Sequence, residues 1–110
     1  MEEKLKNACL AFSCGDVDEL MPFLAPDVEW RNVGKDAIHG ADAVRAICYQ
    51  IAQEPVTLQI SSQFEGDTHL VVQGHGDAER AFCFCDIFQV DDNHVTIITS
   101  YLVAQEESKT

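Results

Sequence analysis

The chain has 110 residues, enough for one hydrophobic core and too few for two. Apolar residues make up 46% and charged residues 24%, a globular composition that excludes disorder, collagen and coiled coil. Seven Lys and Arg against nineteen Asp and Glu leave a net charge of −12, which repels phosphate backbones and speaks against nucleic acid and anionic membranes as partners.

No run approaches the about 18 consecutive apolar residues of a membrane helix. The polar start, Met1-Glu2-Glu3-Lys4, does not read as a secretory signal. Five cysteines, an odd number without a Cys-x-x-Cys pair, argue against a disulfide framework and for a reducing, cytoplasmic setting.

Residues 2–14 read as a helix, because Leu5, Ala8, Cys9 and Phe12 recur at the helical period. Gly15 ends it. Asp16, with Glu19 three residues on, reads as the cap of a second short helix running to Ala25-Pro26. Residues 27–33 alternate as a strand. Residues 41–53 give the cleanest helix, with Val44, Ile47, Cys48 and Ile51 on one face and Glu54-Pro55 as its stop. From residue 56 the period changes to two. Strands are expected over about 56–65, 68–76, 80–91 and 94–104, joined by turns at Gly66-Asp67, Asp77 and Asp91-Asp92-Asn93, with a polar tail over 105–110. Helices gather early and strands late, so the expected fold is α+β, an antiparallel sheet with helices on one face.

The strand over 80–91 is the most informative segment. One parity carries Phe82, Phe84, Asp86, Phe88 and Val90, and the other Ala81, Cys83, Cys85, Ile87 and Gln89. Both faces are largely apolar, so a homodimer through the outer sheet face is expected. Asp86 is the anomaly. A carboxylate between two phenylalanines on one face is either desolvated, with a raised pKa, or it caps a turn, reaches solvent or pairs with Arg31, Arg45 or Arg80. In the first case it is a functional candidate.

Other candidates are weaker. Cys83, Cys85 and His75 would be the best metal trio, but buried thiols and a surface histidine account for them, and no metal is expected. No cysteine has a local histidine partner to activate it. Gly74-His75-Gly76 lies within strands and lacks the Lys-Ser/Thr of a phosphate loop, so a bulge or sheet bend accounts for its glycines. Trp30, the only tryptophan, shares strand parity with Val28 and Asn32, which would place Asn32 inside any cavity that face lines.

Three stretches together carry a family likeness: Ala11–Leu20, Leu24–Trp30 and Ile38–Arg45. So do Asp86-Ile87-Phe88 with the hairpin after it, and Ser100-Tyr101-Leu102. These residues resemble the SnoaL-like members of the nuclear-transport-factor-2-like superfamily, over nearly the whole chain and in order. The resemblance implies one domain over 1–110: a cone in which a curved antiparallel sheet wraps about three helices of the N-terminal half, with a pocket inside and commonly a sheet-to-sheet dimer. Relatives include ketosteroid isomerases, polyketide cyclases and epoxide hydrolases, and the fold alone does not choose among them.

Position by position, the isomerases' catalytic base falls on Asn32, which has no useful basicity. Their tyrosine donor falls on Ala8. Their protonated aspartate, a carboxylic acid kept neutral by an apolar site, falls on Asp86. The expectation is a pocket for a small, mostly apolar, carbonyl-containing molecule, with Asp86 as acid or hydrogen-bond donor. Asn32 would orient the ligand, and Phe12, Trp30, Phe84, Phe88 and Tyr101 would form the wall. Polyketide-cyclase-like or isomerase-like proton transfer of this kind needs no cofactor. The rival expectation is a non-catalytic binding or dimerisation module with a filled pocket.

Overall fold

The computed structural model describes residues 1–105. Helix α1 spans Glu3–Ser13 and buries Leu5, Ala8, Cys9 and Phe12, the stripe expected from the spacing. It ends because Gly15 takes φ +99°, which lets the Gly15 N–H bond to Phe12 and the Asp16 N–H to Ala11. These two bonds satisfy carbonyls the last turn would otherwise orphan.

The second helix expected after Gly15 does not form. Only a 3-10 turn, Met21–Phe23, is present. Pro22 has no N–H to close an α-helical bond, and too few residues precede it to nucleate a helix. Asp16 caps no helix; its Oδ1 accepts the Asp18 N–H at 3.0 Å in a local turn. Val17, Leu20 and Leu24 are buried all the same.

Strand β1 spans Leu24–Asn32, and β2 is a two-residue strand, Ile38–His39, that was not legible in advance. Helix α2 follows over Ala41–Ile51. Then come β3 (Thr57–Glu65), β4 (His69–Asp77), β5 (Ala81–Asp91) and β6 (His94–Ala104). The strands form one six-stranded sheet in the order β2-β1-β6-β5-β4-β3. The meander β3 to β6 was expected. The sheet is mixed rather than purely antiparallel, because β1 joins β6 in parallel register, Trp30 beside Ile98 and Asn32 beside Ser100. Two α-helices, not about three, complete the α+β cone; α1 packs on β3 and β4, and α2 on β1 and β2. The tail expected over 105–110 lies, after Gln105, outside the described residues.

Bulges bend the sheet, one in β3 between Ile60 and Ser62 and one where Gln89 and Val90 meet β6. Gly74 and Gly76 stand opposite Phe84 and Phe82, whose rings occupy the space a Cβ would need. The glycines let these rings lie flat across β4, on the concave face. The β5–β6 hairpin turns at Asp92 and Asn93, both with positive φ, as a two-residue hairpin loop requires.

The core fills one end of the cone. Phe88, Leu5, Leu20, Leu70, Ile98 and Val95 are fully buried. The Phe12 ring sits edge-on to both Trp30 and Phe88, with centroids 5.3 and 5.7 Å away.

Candidate functional site

Strand parity carries Phe84, Asp86 and Phe88 to the concave face of β5, as expected. Opposite Asp86 stands Val72 on β4 and Ser100 on β6. The last residue of α1, Ser13, comes down onto the same carboxylate. Ser13 Oγ donates to Asp86 Oδ2 at 2.8 Å, and Ser100 Oγ donates to Oδ1 at 2.6 Å. Trp30 Nε1 in turn donates to Ser100 Oγ at 2.9 Å. The parallel pairing of β1 with β6 is what puts the indole there.

Asp86 is 7% exposed. Among the described residues no cation pairs with it: Arg31 pairs with Glu29, and Arg80 reaches toward the carbonyl of Gln105. Burial raises the Asp86 pKa, and the hydrogen bonds from Ser100 and Ser13 oppose the rise without cancelling it. The arginine pairing held open at the sequence level is therefore absent from the described residues.

Asp86 forms part of the wall of a cavity of about 650 Å³, in the range of small-molecule sites. Phe12, Trp30, Phe82 and Phe84 give it apolar sides, Asn32 and Gln50 add amides, and Lys35 and Glu54 are its other charged residues. Val33, Ile51 and Leu102 border it while more than half exposed, so its mouth is apolar. Of the pocket residues expected from sequence, Phe12, Trp30, Asn32 and Phe84 line it, and Tyr101 borders it from β6 although its pairing with Cys85 gives it the convex parity of that strand. Phe88 does not; it is fully buried behind Phe12, as part of the core.

Three residues at the site were missed. Ser13 continues the stripe Leu5, Cys9 at four-residue spacing, so a polar group on an apolar helix face was a readable signal. Ser100 alternates with Ile98 and Leu102, which puts a hydroxyl on a concave face. Cys48 also lines the cavity. Its pKa is pushed up to about 12, mainly by burial and further by the charge of Asp86, which favours the thiol over the reactive thiolate at neutral pH.

The Cys83, Cys85 and His75 trio does not assemble. His75 faces Cys83 across β4 and β5, but its ring nitrogens meet Ser61 at 3.2 Å and Gln59 at 3.0 Å. Among the described residues no three His, Cys, Asp or Glu side chains are grouped to hold a metal ion. No helix among them is long and apolar enough to cross a membrane.

Known structures share the architecture. A nuclear-transport-factor-2-like protein of unknown function from Cytophaga hutchinsonii is 23% identical with a TM-score of 0.86, covering 94% of this chain and 99% of that one. A SnoaL-like polyketide cyclase, provisionally so assigned, from Jannaschia sp. is 11% identical with a TM-score of 0.75, over 90% of this chain and 84% of that one. An epoxide hydrolase of M. tuberculosis is 19% identical with a TM-score of 0.67, over 91% and 77%. Identities this low establish the fold alone. No curated protein matches the chain. The family model described as the SnoaL-like domain matches residues 6–98, nearly all of the helices and sheet just described, and the chain belongs to that family.

Proposed function

We propose that the cavity binds a small, mostly apolar molecule with a carbonyl group, and that Asp86 serves it as acid or hydrogen-bond donor. The observation that carries the reading is a buried carboxyl group, free of any cationic partner among the described residues, in the wall of an open apolar cavity. A carboxyl so placed favours its neutral form, which can donate to a carbonyl or enolate oxygen. Asn32, which lines the cavity, would orient the ligand through its amide. Relatives of this fold are described as a polyketide cyclase and an epoxide hydrolase. Proton transfer next to a carbonyl, of cyclase or isomerase type, fits Asp86 best.

The test uses 1-tetralone, an apolar enolisable ketone, in D₂O. The protein should speed deuterium uptake at the α-carbon over buffer, and Asp86→Asn should cut that gain by about 100-fold. Binding without any gain in exchange would leave the second reading, a non-catalytic binding module. One observation favours that reading: Asn32, which lines the cavity, is an amide and cannot serve as a proton-transfer base.

The convex face supports a homodimer. Phe64 and Val103 are more than half exposed there, and Val71, Ile87 and Tyr101 are partly so. A cytoplasmic setting fits the five free cysteines.

A further inference from the structure

The two oxygens of Asp86 are wired differently. A tryptophan N–H can only donate. With Trp30 donating to it, Ser100 Oγ must turn its own proton toward Asp86 Oδ1. That oxygen is held as an acceptor whatever the ionisation state. Among the described residues Oδ2 meets only Ser13 Oγ, 2.8 Å away, and a serine hydroxyl can both donate and accept. Ser13 also lines the cavity.

We propose that Ser13 is the proton-carrying contact between Asp86 and the ligand, with Ser100 and Trp30 as positioning residues that fix the carboxyl's other oxygen. When Asp86 is neutral, its proton sits on Oδ2 and is donated to Ser13 Oγ, and the Ser13 proton points at the ligand oxygen. In transfer, the Oδ2–H bond breaks as a new O–H bond forms on Ser13, and the old Ser13 proton passes to the ligand. The carboxylate is left behind, with Ser13 and Ser100 both donating to it across the same oxygen–oxygen distances of 2.8 and 2.6 Å. In reverse the same pair accepts a proton. The carboxyl proton thus reaches the ligand through the hydroxyl.

The groups facing Asp86 are few. Cys48 approaches from α2, and Cys85 neighbours it on β5; both are thiols with raised pKa. The facing residues on α1, β1, β4 and β6 are Ser13, Trp30, Val72 and Ser100, which do not titrate.

The proposal rests on the reading of Asp86 as a ligand-facing acid, and the two can fail separately. Two readouts are needed: the Asp86 carboxyl ¹³C shift against pH, and 1-tetralone affinity against pH, followed by the Trp30 indole N–H resonance. Ser100 donates to Oδ1 in both states but more strongly to the carboxylate, whereas Ser13 can turn round and accept from the neutral carboxyl. Ser100→Ala should therefore raise the Asp86 midpoint by about one pH unit, and Ser13→Ala by clearly less. The ketone accepts but does not donate, so wild-type affinity should fall as pH rises through the Asp86 midpoint. Ser13→Ala should lose about tenfold in affinity at low pH and flatten the pH profile, while Asp86 still titrates. Ser13→Thr, which restores the hydroxyl, should restore the profile. A pH profile that survives in Ser13→Ala, or a midpoint that moves more in Ser13→Ala than in Ser100→Ala, overturns the relay. Unchanged affinity and pH profile in Asp86→Asn, or no binding of the ketone to the wild type, overturns the ligand reading and the relay with it.

Discussion

The pair Phe88–Ile98 and the pair Phe84–Leu102 lie on the same face of the same two strands, and their surroundings are opposite. Phe88 and Ile98 have no exposure at all, whereas Leu102 is 66% exposed and borders the cavity with Phe84. Between them stands the pair Asp86–Ser100. The concave face thus passes from packed core to cavity wall along one ladder, and the polar pair sits at the boundary. There the carboxyl is deep enough to resist ionisation yet still borders open space. A carboxyl one rung deeper, at Phe88, would be sealed in the core.

Substitutions along this ladder should separate the two ends. Phe88→Ala empties a fully buried site against Phe12 and should cost about 3–5 kcal/mol, read by denaturant unfolding. Trp30→Phe keeps an aromatic ring, though a smaller one, and removes the N–H that orders Ser100. It should cost about 1 kcal/mol and lower the Asp86 carboxyl's preference for Oδ2 as proton site. Leu102→Ala, at the open end, should change stability by less than about 0.5 kcal/mol while weakening 1-tetralone binding. A cost for Leu102→Ala comparable to that for Phe88→Ala would mean that the cavity end is closed by packing in solution.

The convex side of the same strands offers a parallel test. Val103→Asp should leave folding within about 0.5 kcal/mol and shift a dimer toward monomer, read by light scattering against concentration. Wild-type protein that is monomeric at high concentration contradicts the dimer.

Much of this comparison could be read in the sequence, because period two along 81–91 assigns Phe84, Asp86 and Phe88 to one face without any tertiary information. The helical stripe of α1 was equally readable. The partners of Asp86 were not. Ser13 is 73 residues away, and its approach depends on how α1 crosses the sheet. Trp30 reaches Ser100 only because β1 joins β6 in parallel, and no local pattern announces a pairing across so long a stretch. The segment after Gly15 failed for another reason: its apolar spacing and capping signals were helical, and Pro22 outweighed them. Phe88 was misassigned to the pocket because parity gives the face of a strand but not the depth along it.

Asp86 also links the site to stability. Its folded-state pKa lies above the ordinary value of 3.8, so between those two pKa values the unfolded chain has lost a proton the folded one keeps. Stability contributed by the neutral carboxyl is thus present in acid and lost as pH rises through this window. Asp86→Asn should unfold at a higher temperature than wild type above the folded pKa, and the gap should close below the carboxylate range.

The most direct test is a ¹³C NMR titration of the Asp86 carboxyl in the folded wild-type protein. A midpoint clearly above 3.8 is the result predicted for a buried carboxyl without a cation beside it. A midpoint at or below that value would mean that the two serines and solvent hold Asp86 ionised, and its role as acid would be contradicted.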